Sequence, residues 1–293
     1  MSSAAATCLS RRVSPVETQS TQIATAALTS GALPPELDGA IRVACGEPLT
    51  RLILEMGADS GKRLAAMRVA TAQAGGSVAP FRSFEDLVAR SRADDVATIL
   101  LGLELARKVR DAPDLLRRRV WAHTLRSACV AAALCELDDL FTPLHGMLAG
   151  ALHDLGILAL MDHGPARYKD LVRLAGLTLD GLQNLEQTYL GVSHPRVSVA
   201  IASELGAPVH VVAALVDHHA GARFVGAQRL VRLAEEADLH YVLGTAAEDV
   251  GWAVAEERGI DGDQAAWLAS HVEAGLRLAA NLTTSLGPNR RTA

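Results

Sequence analysis

Aromatic residues are scarce in this chain: only 3% of its 293 residues are Phe, Trp or Tyr. A core with so few rings has to be filled by aliphatic side chains, and Ala, Leu and Val are abundant. Ala and Leu are strong helix formers, and a core built of them suits closely packed helices. Cysteine is rare as well. Cys8, Cys45, Cys129 and Cys135 form no C-x-x-C pair, and Cys129 and Cys135 lie in an apolar helical stretch, where reduced buried thiols are expected.

Long hydrophobic runs are missing too. None reaches the roughly 18 uninterrupted apolar residues of a membrane span, so no membrane partner is expected. Met1–Val13 has no apolar stretch after its charges, so it does not read as a secretory leader, and the expected compartment is the cytoplasm. An excess of positive charge is also absent. The formal net charge is -5, which argues against general nucleic-acid binding. The local run Arg117-Arg118-Arg119 reads as a solvated helix face. What remains, 49% hydrophobic and 21% charged residues, is the composition of a globular protein with a sizeable core.

No segment alternates like a strand and no repeat has a fixed period, whereas apolar residues recur three and four apart through most of the chain. The expected class is all-α. Residues 1–33, rich in Ser, Thr and Ala, read as a flexible arm with a short helix near Thr21–Leu28. Residues 34–110 read as an N-terminal subdomain of four or five short helices, with breaks at 57–61 and 75–77 and Ser83 as a helix cap.

Residues 111–245 form a second block. Its expected helices are Leu115–Leu134, Pro143–Met161, Ala166–Ala175, Leu179–Leu190, Pro195–Glu204, Pro208–His219 and Gln228–Leu243. Residues 246–293 are read as one amphipathic helix, Gly262–Leu286, with a polar tail.

The chemistry lies in the second block. Of ten histidines, five fall in an order with one aspartate: His123, the pair His153-Asp154, His194, and the pair His218-His219. Each sits inside or at the end of an otherwise apolar helix, where an unpartnered imidazole or carboxylate is costly. A shared metal ion would satisfy them together, and helical bundles build such sites from inward-facing side chains. Simpler readings stand beside this one. His153 and Asp154 can be a hydrogen-bonded pair joining helices, His194 a cap before Pro195, and one of His218 and His219 a favourable charge at a helix C-terminus. His145, His163, His210, His240 and His271 carry no motif. Asp217-His218-His219 matches the triplet of DHH phosphoesterases, but the upstream Asp-x-Asp motifs those enzymes need are absent.

The order H…HD…H…HH resembles the HD superfamily of metal-dependent phosphohydrolases, and most closely its HDOD branch. The likeness rests on Trp121-Ala122-His123-Thr124, on Met147 through His153-Asp154-Leu155-Gly156, on Glu186 to His194, and on Glu204-Leu205-Gly206-Ala207-Pro208 to His218-His219. The resemblance implies a multi-helix bundle with an N-terminal helical subdomain. It also implies a metal site built from His123, His153, Asp154, His194, His218 and His219, holding one or two ions of Fe, Mn or Zn, or standing empty. A nucleotide or cyclic dinucleotide is the ligand that the hydrolytic relatives imply.

Departures from the hydrolytic pattern are specific. Ile157 stands where the HD-GYP relatives have a lysine, and Ala220-Gly221-Ala222-Arg223-Phe224 replaces their Gly-Tyr-Pro loop. Ala70-Thr71-Ala72-Gln73 occupies the region of the Asn-Ser usual in HDOD proteins, and the superfamily's later aspartate has only Glu235 and Asp238 as candidates. These departures favour a regulatory module that engages a signalling protein, with a degenerate metal site, over a working phosphohydrolase.

Overall fold

The structure, a computed structural model, describes residues 15–286 except 32, 35, 57–58, 76–78, 177–178, 217 and 220–226. Among the described residues there is no β-strand. The first helices are α1 (Pro15–Thr29), α2 (Glu36–Ala44), α3 (Thr50–Met56), α4 (Ser60–Gln73), α5 (Phe84–Arg90) and α6 (Ala93–Asp111). Then come α7 (Leu115–Ala133), α8 (Pro143–Leu152), α9 (Leu155–His163), α10 (Tyr168–Ala175) and α11 (Leu179–Leu190). The chain ends with α12 (His194–Glu204), α13 (Val209–Leu215), α14 (Ala227–Val242), α15 (Ala247–Glu257) and α16 (Gly262–Ser285).

Helix α7 is the axis of the molecule, with α6, α8, α14 and α16 packed around it. Its Ala128, Cys129, Val130 and Ala131 are wholly buried, and such short side chains bring neighbouring backbones close. Gly150 takes this to its limit. A Cβ there would stand 2.5 Å from the Cα of Ala128 and 2.7 Å from the Ser127 carbonyl oxygen. The glycine in Leu-Ala-Gly-Ala-Leu-His-Asp is therefore what lets α8 lie against α7. In the N-terminal part, Lys62 of α4 pairs with Glu36 of α2 and Glu104 of α6, and Arg107 also binds Glu104. Three helices are thereby joined through one largely buried ion network.

Several expectations change. Residues 15–29 are not part of a loose arm: Ile23, Ala24 and Ala27 are buried, and α1 packs on α12 and α9. The rest of the expected arm, before Pro15, lies outside the described residues. The expected single helix Pro143–Met161 is two helices, broken at His153-Asp154. No proline or glycine makes that break. The His153 Nδ1–H donates to the Gly150 carbonyl at 2.7 Å, and the Asp154 backbone leaves the helical region at φ -110, ψ 8. A side chain competing for its own helix's backbone in this way loosens the next turn.

Helix α13 ends at Leu215, so His218 and His219 lie beyond it, and α15 occupies a stretch where no helix is expected. Pro143–His163 has the length and hydropathy of a membrane span, contrary to the count of uninterrupted apolar residues, yet 94% of that window is buried inside the protein. Cys129 and Cys135 are buried free thiols, as their apolar surroundings predict, whereas Cys45 is exposed.

Gly150→Ala tests the helix crossing. In an unencumbered helix this change gains about 1 kcal/mol. Here overpacking against Ala128 should reverse the sign and cost about 1–3 kcal/mol. Thermal unfolding should show a midpoint several degrees lower; an unchanged or higher midpoint contradicts the close approach.

Candidate metal centre

The six side chains singled out in the sequence meet in one buried cluster. His123 comes from the middle of α7, His153 and Asp154 from the break between α8 and α9, and His194 from the first position of α12. His218 and His219 follow the end of α13. His153, Asp154, His194 and His218 have no solvent-accessible surface, and His219 is nearly as buried.

Asp154 lies at the centre. Its Oδ2 is 3.2 Å from His123 Nε2 and 3.4 Å from His153 Nε2. Its Oδ1 is 3.4 Å from His194 Nε2 and 4.0 Å from His218 Nε2. The imidazoles also face one another, with Nε2 atoms 3.0 Å apart for His123 and His153 and 2.9 Å apart for His194 and His219.

The outward-facing nitrogens are held from behind. His123 Nδ1 meets Asp238 Oδ2 at 2.6 Å, and Arg126 pairs with the other oxygen of Asp238. The backbone N–H and Nδ1 of His194 both reach Glu186 Oε2 at 2.7 Å, while the Tyr168 hydroxyl donates to Glu186 Oε1. His194 is therefore oriented by a buried carboxylate and does not act as a cap itself. His218 Nδ1 donates to the Leu215 carbonyl at 2.9 Å and so caps the end of α13, but as a neutral donor and not as the positive charge of the simpler reading. Its Nε2 nevertheless points into the cluster.

Two acidic residues left unresolved by sequence separate clearly. Glu235 and Asp238 are three apart on α14, hence on neighbouring faces. Glu235 Oε1 lies 3.6 Å from His153 Nε2, from His218 Nε2 and from His219 Nδ1. Asp238 instead sits behind His123. His145, without a motif, closes a capping box with Thr142 at the start of α8.

The electrostatics are sharply divided. Burial works against charge on His123, but Asp238 and Asp154 outweigh it and raise its pKa to about 10. His194 is raised to about 10 in the same way, by Glu186 and Asp154 against burial. Burial lowers His153 to about 4 and pushes His218 well below its ordinary value, helped by the neighbouring imidazoles. Asp154 stays well below the usual carboxylate range despite its burial, because His153, His123 and His194 surround it. Burial and the charge of Asp154 drive Glu235 the other way, well above that range.

These residues fit a metal. Both oxygens of Asp154, both of Glu235 and His218 Nε2 are buried without a hydrogen-bond partner among the described residues. Leaving such atoms unsatisfied costs roughly 1–3 kcal/mol each. Ligand atoms of Asp154, His194, His218 and His219 lie within 4.8 Å of one another, as do those of His153, Asp154, His218 and Glu235. The two sets share Asp154 and His218, and imidazole with carboxylate is a donor set suited to Zn, Fe or Mn.

Beside the cluster lies a cleft of about 670 Å³, bordered by His123, Asp154, Glu235 and Asp238. The arginine run at the start of α7 takes part in its surroundings. Arg117 pairs with Asp162 of α9, and Arg119 lines the cleft, so the run is not merely a solvated face. The loop Ala220–Phe224 lies outside the described residues.

Glu186→Ala should leave the Tyr168 hydroxyl and a buried His194 without their shared acceptor. A loss of about 3–5 kcal/mol is expected, as for other broken buried pairs. Urea denaturation checks it; a loss below 1 kcal/mol would mean that Glu186 does not hold His194.

The fold has known counterparts. A candidate phosphohydrolase from Shewanella amazonensis SB2B superposes with a TM-score of 0.62 over 92% of this chain and 98% of its own, at 16% identity. An HDOD domain protein of unknown function from Geobacter sulfurreducens gives 0.60 at 17% identity, with the same coverages of 92% and 98%. A candidate signal transduction protein from Marinobacter aquaeolei VT8 gives 0.55 at 21% identity, over 86% of this chain and 60% of its own. At such identities the likeness is one of fold. No curated protein matches the sequence. The sequence profile of the HDOD domain matches residues 68–221, more than half the chain and the span that includes His123, His153, Asp154, His194, His218 and His219, so this protein belongs to the HDOD domain family.

Proposed function

We propose that the cluster holds one or two divalent cations and that the chain binds and hydrolyses a phosphate ester in the adjoining cleft. The observation that carries this reading is the Asp154 carboxylate, whose two buried oxygens have no hydrogen-bond donor and face separate groups of imidazoles. His123, His153, Asp154, His194, His218 and His219 would hold the metal, with Glu235 as the added acidic ligand. When bound, such ions polarise phosphoryl oxygens and lower the pKa of a coordinated water.

The chain's own residues have distinct tasks around that chemistry. Asp238 and Glu186 fix the orientation of His123 and His194, so that each presents Nε2 to Asp154. Support of this kind typically accounts for 10–100-fold in metal affinity. Arg119 lines the cleft and offers a guanidinium group to a phosphate, while Arg232 is held by Glu236. The buried position of the cluster keeps bulk water from competing at the Asp154 carboxylate.

A second reading is favoured by one residue. Ile157 borders the cleft where the hydrolytic relatives have a lysine, and it cannot donate to a phosphate. In that reading the loaded site recognises a ligand or fixes the fold, and the protein acts as a signalling module on a protein partner.

Metal analysis of the purified protein, combined with turnover of a panel of phosphate mono- and diesters, decides between them. Wild-type protein should carry near-stoichiometric metal, lost in Asp154→Asn and His153→Ala along with activity. Asp238→Asn should stay folded while its metal affinity falls roughly 10–100-fold. Metal without turnover supports the signalling reading, and absence of metal under all loading conditions sinks both.

A further inference from the structure

The walls of the cleft say what kind of ester it admits. Leu116 and Val120 of α7, Ile157 of α9, Val172 of α10, and Leu239 and Val242 of α14 surround it. Ile157, Val120 and Val172 are buried, whereas Val242 is 41% exposed at the edge. Among the described lining residues there is no Phe, Tyr or Trp to stack a base and no Asn, Gln, Ser or Thr to read its edge, and the one ring, that of His123, is held between Asp154 and Asp238. Nucleobase pockets rely on such groups, through stacking and paired hydrogen bonds. Charge is confined to other places. His123, Asp154, Glu235 and Asp238 lie on the cluster side, Glu236 is tied up by Arg232 and Arg258, and Arg119 and Arg173 also border the space.

Arg173 has Asp170 as a partner at 2.6 Å, whereas Arg119 is exposed and makes no ion pair with any described residue. Arg119, Arg173 and Lys169 also line a smaller hollow of about 310 Å³ next to the cleft. A ligand suited to this arrangement is an amphiphile: an anionic head beside the cluster and arginines, and an aliphatic body along the leucine and valine walls. Resting on the phosphate reading of the centre, we infer that the ligand is a phosphate ester of an aliphatic chain, and not a nucleotide.

Arg119 is free to meet the head. Ile157 has a positive role in this arrangement, because an aliphatic side chain next to the cluster extends the apolar wall to the point where the ester oxygen would sit. A lysine there would interrupt it.

Calorimetric titration of the full chain with non-hydrolysable phosphonates tests the inference without requiring turnover. Hexylphosphonate should bind at least tenfold more tightly than ethylphosphonate, since each fully buried methylene contributes on the order of fourfold. It should also bind more tightly than adenosine monophosphate. The double variant Leu116→Asn/Val242→Asn, altered at half-buried and exposed positions, should narrow the hexyl-to-ethyl ratio. Arg119→Ala should weaken both phosphonates by the same factor and leave that ratio alone. Equal binding of the two chain lengths, or preference for adenosine monophosphate, overturns the inference even if the protein proves to be a hydrolase. Chain-length-dependent binding in protein that shows no turnover upholds it while the hydrolytic reading fails.

Discussion

A carboxylate removed from water and given no hydrogen bond is the constraint around which this protein is arranged. Asp154 remains charged because imidazoles from four segments converge on it, and those segments are far apart in sequence. Each imidazole is in turn anchored by another group: His123 by Asp238, His153 by the Gly150 carbonyl, His194 by Glu186 and His218 by the Leu215 carbonyl. The cluster is thus a small buried electrostatic assembly whose outer members are tied to α10, α11 and α14. Positive character on His123 and His194 balances Asp154, a balance that a bound cation would take over.

The packing of the bundle follows the same requirement. Small residues along α7 let α8 approach closely enough for a residue at its end to face one from the middle of α7. Gly156 serves the next contact. A Cβ there would fall 2.1 Å from the His194 carbonyl oxygen, and the Gly156 N–H donates to Ser198 at 2.8 Å. The glycines flanking His153-Asp154 are therefore steric permissions for two helix crossings, one on each side of the pair.

Much of this was legible in the sequence because the signals were local. Three- and four-residue periodicity located most helices, and the order of histidines named the members of the cluster. What escaped depended on tertiary geometry. The α8–α9 break has no glycine or proline at its centre and arises from a side chain bonding its own helix. Glu235 and Asp238 look equivalent in sequence, and only the rotation of α14 against α7 turns one toward the cluster and the other behind His123. Helix α1 carries too narrow an apolar stripe, Ile23, Ala24 and Ala27, to announce that it docks. The cleft joins residues from four helices, and no spacing rule connects Leu116 with Val242.

One short helix has a double attachment. Val172 and Arg173 of α10 border the cleft, while Tyr168, four residues earlier than Val172, bonds to the Glu186 carboxylate that orients His194. A rigid rod fastened at both places cannot shift at one without pulling on the other. A displacement of α10 at the cleft would therefore also pull on the carboxylate that aims an imidazole on the far side of Asp154.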